Sequence, residues 1–283
     1  MGCDIHFFVE QTLDGGETWH RAESATPNPH YVGPDKAKDP SDPDYDAWED
    51  APTEFASWYG GRNYSLFGML ADVRNGRGFA GVEIGKPVQP LDQPRGLPGN
   101  VSEDVAAESE RWGSDGHSHS WFGLEELLQV DWQGTNITHV GWVGPEDFYA
   151  LDKFKRAPRN SCGGIDGAAI EHVSGDYMRQ AIADLEVPTS WTLREWGAKN
   201  PHLKAERDPF GGGFQVKPTD DGDVITKVIT KRLYTQVEWS EPWSEAIGSF
   251  KDTMLRMTRQ AITIGGAQAT PLGAVRAVFW FDS

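Results

Sequence analysis

The pattern of apolar and polar positions opens with alternation. Cys3, Ile5, Phe7 and Val9 interleave with Asp4, His6, Phe8 and Glu10, which is the period of a β-strand with two distinct faces. One face reads as core. The other carries two carboxylates and an imidazole in a segment apolar enough to be buried, where such groups are costly unless paired or ligated. The turn Asp14-Gly15-Gly16 predicts a second strand over residues 17–22. Asn63 to Arg74 follows a helical period, with Leu66, Phe67, Leu70 and Val73 on one side and Asn63 as the cap. Ser102 followed by Glu103 and Asp104 opens another helix. His117 to Trp121 alternates like a strand, and a short helix begins at Gly123-Leu124. Further helices are predicted from Pro145, near Ala168, and at Thr192, where Thr192-Leu193-Arg194-Glu195 is a capping-box pattern.

The last third is patterned more strongly. Asp223 to Trp239 is β-branched and predicts a strand or a hairpin, and Glu241 to Ala261 predicts a helix with Ile247, Phe250, Met254, Met257 and Ile262 on its stripe. Ala274 to Phe281 is a near-continuous apolar run. Exposed, it would aggregate, so it reads as a buried strand. Its natural place is beside the N-terminal strand, in a mixed or antiparallel sheet covered by helices. The predicted class is therefore α+β, with residues 1–283 forming a single domain. Glu23 to Thr53 stands apart: rich in Pro, Asp and Ala and poor in aliphatic residues, it reads as a long acidic loop.

Charge narrows the partners. Acidic residues outnumber basic ones, 43 to 26, for a formal net charge of −17. Such a surface repels phosphate backbones unless its cations cluster. The densest basic group, Lys153-Phe154-Lys155-Arg156 with Arg159, is small, so a nucleic-acid polymer is not an expected partner. No run approaches the roughly 18 apolar residues of a spanning helix, and the N-terminus lacks the pattern of an export signal. Met1-Gly2-Cys3 superficially resembles an acylation site, but that signal wants Ser or Thr where His6 stands. Two cysteines are too few for a disulfide framework. The expectation is a cytoplasmic protein with no membrane partner.

Candidate chemistry sits in two segments. Asp4 and His6, two apart on the first strand, and His117 and His119, two apart on another, are side-chain types that hold a divalent metal ion through carboxylate oxygen and imidazole nitrogen. Glu10 or Asp115 would then act as base toward a metal-bound water. The alternative is structural: Asp4 and His6 form a buried hydrogen-bonded pair, and the His-Ser-His-Ser segment caps the helix that follows. Arg62, Arg74 and Arg77 can bind a phosphate or carboxylate, with Arg95 as a further cation; the alternative for Arg74 and Arg77 is a cation-rich helix end. Trp112 and Trp121 flank the histidines and suit base stacking. Cys162, set before Gly163-Gly164, has no motif that identifies a base for it and reads as structural.

Two resemblances bear on function. Asp4-x-His6 and Gly116-His117-Ser118-His119 resemble two signatures of calcineurin-like metallophosphoesterases. That family's Gly-Asp-x-x-Asp and Gly-Asn-His-Asp/Glu elements are absent from residues 11–114, so the similarity is one of chemistry. The second resemblance covers the whole chain. Met1-Gly2-Cys3-Asp4-Ile5-His6, Arg62-Asn63-Tyr64-x-Leu66-Phe67, Leu70-Ala71-Asp72-Val73-Arg74-Asn75-Gly76, Gly96-Leu97-Pro98, His117-Ser118-His119-Ser120-Trp121 and Phe279-Trp280-Phe281-Asp282 resemble uncharacterised proteins of tailed bacteriophages. This implies an accessory protein in an infected bacterial host, a setting in which nucleotide metabolism and host defence signals are common targets.

Two expectations follow from different classes. One is a metal-dependent hydrolase of a phosphoester or nucleotide, with Asp4, His6, His117 and His119 as ligands and Glu10 or Asp115 as catalytic base. The other is a non-catalytic protein that sequesters a small anionic ligand through Arg62, Arg74 and Trp121, or inhibits a host protein. Composition also makes a prediction of its own: limited proteolysis should cut first within residues 23–53, whose apolar content is too low to compensate ordering entropy. A first cut elsewhere, mapped by mass spectrometry, would refute it.

Overall fold

The computed structural model describes residues 2–23, 25–31, 33, 52–167, 169–201, 203–207, 214–218, 225–227, 232–265 and 271–282. In chain order it opens with β1 (Asp4–Gln11), β2 (His20–Arg21), β3 (Ala25–Pro27), β4 (Thr53–Phe55) and α1 (Tyr64–Ala71). Next come α2 (Glu103–Trp112), β5 (His117–Gly123), α3 (Leu124–Gln129), β6 (Asn136–Val143), α4 (Pro145–Phe154) and β7 (Ile170–His172). Then α5 (Gly175–Ala183), α6 (Ser190–Lys199), β8 (Leu203–Arg207), β9 (Phe214–Pro218) and β10 (Ile225–Lys227) follow. The chain ends with β11 (Arg232–Pro242), α7 (Trp243–Ala246), α8 (Phe250–Gly265) and β12 (Val275–Asp282). The fold is α+β. No helix among the described residues is long and apolar enough to cross a membrane.

The residues group into two compact units, Met1–Val73, Gln89–Trp132 and Ile247–Ser283 in one, Arg74–Val88 and Gln133–Ala246 in the other. Each unit is assembled from segments distant in sequence. That is why no linker or composition break announces them along a chain that reads as one domain.

The first unit is built on a sheet of order β2-β1-β12-β5. As the apolar run at the C-terminus predicts, β12 pairs antiparallel with β1, from Asp4 opposite Asp282 to Gln11 opposite Val275. Seven of the eight residues of β12 are buried. Side chains stack across the pair, Phe7 on its partner Phe279 at 6.0 Å and Phe8 diagonally on Trp280 at 4.8 Å. On the Phe7 face, Phe250 of α8 meets Phe7 at 5.6 Å and Phe67 of α1 meets Phe281 at 4.9 Å. On the Phe8 face, Val105 of α2 closes a cluster with Phe8, Val278 and Trp280. A sheet buried on both faces explains why β12 is apolar throughout rather than alternating.

At the buried end of the Phe8 face two paired positions, Glu10 and Arg276, are charged. Glu10 is fully buried and its carboxylate accepts from Arg276 Nε at 2.7 Å, while Arg276 also donates to the Asn100 side chain and carbonyl at 2.9 and 3.0 Å. The second Glu10 oxygen accepts from the backbone N–H of Ser102 at 2.8 Å. Ser102 is the N-cap of α2 but makes no side-chain cap bond. Glu10 accepts from the N–H of the N-cap residue itself, which puts its negative charge at the helix end where it is favoured.

The second unit holds a sheet of order β6-β11-β7, in which β11 runs antiparallel to β6 and parallel to β7, and an antiparallel meander of β8, β9 and β10. Its core joins Val143, Phe148, Met178, Ala181, Ile182, Val187 and Leu233.

Several expectations are corrected in detail. The helix expected near Ala168 begins at Gly175, capped by Ser174, whose hydroxyl accepts from Tyr177 N–H. Thr192 is not the cap of α6; Thr189 is, and the Thr192 hydroxyl accepts from the Thr189 N–H at 2.8 Å. Residues 225–227 and 232–242 are strands of different sheets rather than a hairpin. The helix expected over 241–261 is split, because Gly248 adopts φ +53°, a left-handed conformation that ends one helix and redirects the chain into the next. At the ends of the acidic loop, β3 pairs with β4; residues 34–51, like Gly211-Gly212-Gly213, lie outside the described residues.

The buried ion pair yields a stability prediction. Arg276→Met leaves the Glu10 carboxylate buried without its cation and should cost about 3–5 kcal/mol. Replacing both groups, Glu10→Leu with Arg276→Met, should cost less than the single change. Urea unfolding of the three proteins measures this, and a single variant within about 1 kcal/mol of wild type would show that the pair does not hold the sheet to α2.

Candidate functional site

The first unit carries a cleft of about 260 Å³ lined by Gly2, Asp4, Arg62, Trp112, Asp115 and Asp282. Strand pairing creates it. The register sets Asp4 directly opposite Asp282, and Asp282 accepts from the Asp4 N–H at 2.9 Å while its other oxygen lies 3.3 Å from His6 Nε2. The last turn of α2 brings Trp112 over His6, ring centres 4.1 Å apart, and the bend after it presents Asp115. Arg62, just ahead of the Asn63 cap of α1, donates from Nε to one Asp4 oxygen at 2.8 Å and from Nη2 to the other. This bidentate contact holds the Asp4 carboxyl below its ordinary pKa, with the Arg62 and His6 charges acting in the same direction against slight burial.

The expected ligands do not surround one point. Ser118 has φ +53° and the pairing of β12 with β5 slips between Phe279 and Phe281. Phe281 thereby pairs with His117, and the His117 ring stacks on it at 6.2 Å, on the face of Phe7 and Phe279. His119 instead stacks on Trp280 at 5.4 Å and its Nε2 lies 2.9 Å from the Ser109 hydroxyl of α2. A bulge inserts one residue into a strand and so resets its alternation. The two imidazoles, predicted on one face, point to opposite faces. Trp280 lies stacked between His119 on one strand and His6, 5.7 Å away, on the other. Among the described residues, no group of three or more His, Cys, Asp or Glu side chains is arranged to hold a metal ion.

The other candidates are dispersed as well. Glu10 shares the strand face of Asp4, but six residues of strand span roughly 20 Å, and its carboxylate is the buried partner of Arg276. It is a structural anion, not a base beside the cleft. Asp115 does line the cleft. Trp121 packs under Arg95 at 5.1 Å and against the Phe8 cluster, and Arg95 is engaged by Asp92 and Glu126. Arg74 belongs to the second unit, where its Nη1 reaches the Gly78 carbonyl at 3.5 Å. Cys162 sits in a bridge with Trp142, and burial pushes its thiol pKa up, as suits a structural cysteine. The cleft residue that sequence reasoning missed is Asp282. Its signal was the pairing of the two termini, which puts the last acidic residue opposite the first. Ser109 was missed because it carries no motif.

No family model matches the chain, and no curated protein or solved structure does either. The geometry therefore stands alone. Three carboxylates and one guanidinium border the cleft, Arg62 satisfies Asp4, and among the described residues the Asp115 carboxylate accepts no hydrogen bond. Such a rim attracts a cation.

Desolvation, and secondarily the charge of His117, lowers the His119 pKa. The folded protein thus binds this proton less readily than the unfolded chain. Stability should be full above the unfolded imidazole value of about 6.5 and should fall as pH drops through it. Urea unfolding at pH 7.5 and 5.5 should show a smaller acid loss for His119→Gln than for wild type. Equal losses would mean that His119 titrates as it does when unfolded.

Proposed function

We propose that this is a phage-type accessory protein that acts by binding, with the cleft of Asp4, Asp115, Asp282 and Trp112 receiving the guanidinium or ammonium group of a basic host protein. The observation that carries the reading is the Asp4–Arg62 contact: the cleft already holds a guanidinium in a two-pronged grip, and Asp115 and Asp282 extend the same chemistry beside it. A formal charge of −17 adds long-range attraction for a basic partner and speeds encounter. Infection places such a protein in the host cytoplasm. An anionic ligand at this cleft is disfavoured by three carboxylates against one guanidinium that is already paired.

The metal-dependent hydrolase reading has less support. Both oxygens of Asp4 face Arg62, His6 Nε2 faces Asp282, and His117 lies on the far side of the sheet. These groups do not fit a shared ion, and no catalytic step is assigned to them.

Titration calorimetry with a hexa-arginine peptide tests the proposal at physiological salt. Asp115→Lys should weaken binding at least tenfold, whereas Glu17→Lys, an exposed charge reversal outside the cleft, should change it little. Equal weakening by both variants would reduce the effect to net charge and sink the site. Stoichiometric Mn²⁺ binding together with hydrolysis of bis-(p-nitrophenyl) phosphate would replace it with the hydrolase reading.

A further inference from the structure

The second unit contains a larger cavity that none of the motifs points to. It measures about 380 Å³ and lies among α4, α5 and α6, within the size range of small-molecule sites. Its apolar wall includes the buried side chains of Phe148 and Ile182 with Leu185, and aromatic rings of Tyr149 and Trp196 line it as well. Leu185 is placed by a left-handed turn, φ +56°, directly after α5. The aromatic wall is braced from behind: Tyr149 stacks on Trp191 at 5.9 Å.

The charges at this cavity run against those of the chain. Lys153, Arg179 and Lys199 line it together with Asp152 and Glu195. Arg179 is shared between Asp152, through two hydrogen bonds at 3.0 and 3.2 Å, and Asp176 outside the lining, at 2.6 Å, so its charge is fully engaged. Among the remaining charges of the lining, two lysines stand against Glu195, in a protein with 43 acidic and 26 basic residues. Among the described residues, neither lysine makes a hydrogen bond or an ion pair. Each sits in the last turn of its helix, Lys153 in α4 and Lys199 in α6, where the helix dipole favours a cation. The dipole accounts for a lysine at each helix end. It does not require both to converge on one cavity walled by aromatic rings.

We propose that this cavity binds a small planar aromatic ring bearing an anionic group, the ring against Tyr149, Trp196 and Leu185 and the anion toward Lys153 and Lys199. The site is separate from the cleft of the first unit, and its occupancy does not depend on the function proposed there. Nucleobase phosphates and aromatic carboxylates share this chemistry.

Fluorescence titration of the full chain with 8-anilinonaphthalene-1-sulfonate is the test. One saturable site per chain is expected, weakened at least tenfold by Lys153→Glu with Lys199→Glu, two exposed positions whose replacement leaves the core intact. Leu185→Trp, which fills the cavity, should abolish the signal while circular dichroism stays unchanged. Displacement by AMP would assign the ligand to nucleotides, and displacement by 2-naphthoate alone to aromatic carboxylates; either supports the site. Non-saturating binding, binding unaffected by the double glutamate variant, or equally tight binding of 1-naphthylmethylammonium would overturn it.

Discussion

The buried pairing of the first and last strands is the constraint on which the first unit depends. β12 contributes a row of fully buried side chains, and its one interior charge, Arg276, is compensated only because Glu10 lies opposite it in register. A register slip by one residue would turn every side chain to the other face. It would also strand both charges in an apolar interior, where an unpaired ion costs several kcal/mol. The pair therefore penalises wrong registers more than it strengthens the right one. Glu10 extends that discipline to α2 by accepting from the N–H of its N-cap, Ser102. One carboxylate thus ties two chain termini and a helix start together.

The same register makes the cleft. Because Asp4 faces Asp282 four residue pairs beyond the position that Phe8 and Val278 occupy, the sheet passes from dry core to a half-open rim along a single strand. His6 lies at the transition, its ring covered by Trp112 and its nitrogen turned to Asp282. Charged groups at such an edge keep part of their hydration, so they are held by modest hydrogen bonds and stay available to a ligand. Glu10, at the dry end of the same strand face, is committed to structure. Position along one strand separates a structural carboxylate from an accessible one.

The second unit illustrates a different route to a site. Its cavity arises from three helices meeting over a small apolar floor, with cations supplied by helix ends. Lys153, Thr192 and Glu195 belong to patterns that the sequence shows, a basic group and a capping box, but neither pattern indicates a ligand site. The two lysines stand out only when Arg179 is recognised as engaged by Asp152 and Asp176 and the remaining lining groups are considered.

Much of the architecture was legible in the sequence because it rests on periodicity and local chemistry. Alternation over residues 3–10 specified a two-faced strand, the apolar run at 274–281 required burial, and Asn63 and Pro145 marked helix starts through capping preferences that act within a single turn. Three things were decided only by tertiary structure. The bulge at Ser118 reset the alternation of β5 and parted His117 from His119, an irregularity that residue types alone do not encode because it answers to the strand opposite. The role of Glu10 was set by a partner 266 residues away, since burial leaves a charge no stable state without its counter-ion. The acidic rim required Asp282 to arrive beside Asp4. Local propensity cannot specify which distant residues share a surface; long-range strand pairing does so, through the free energy of burying β12 on both faces.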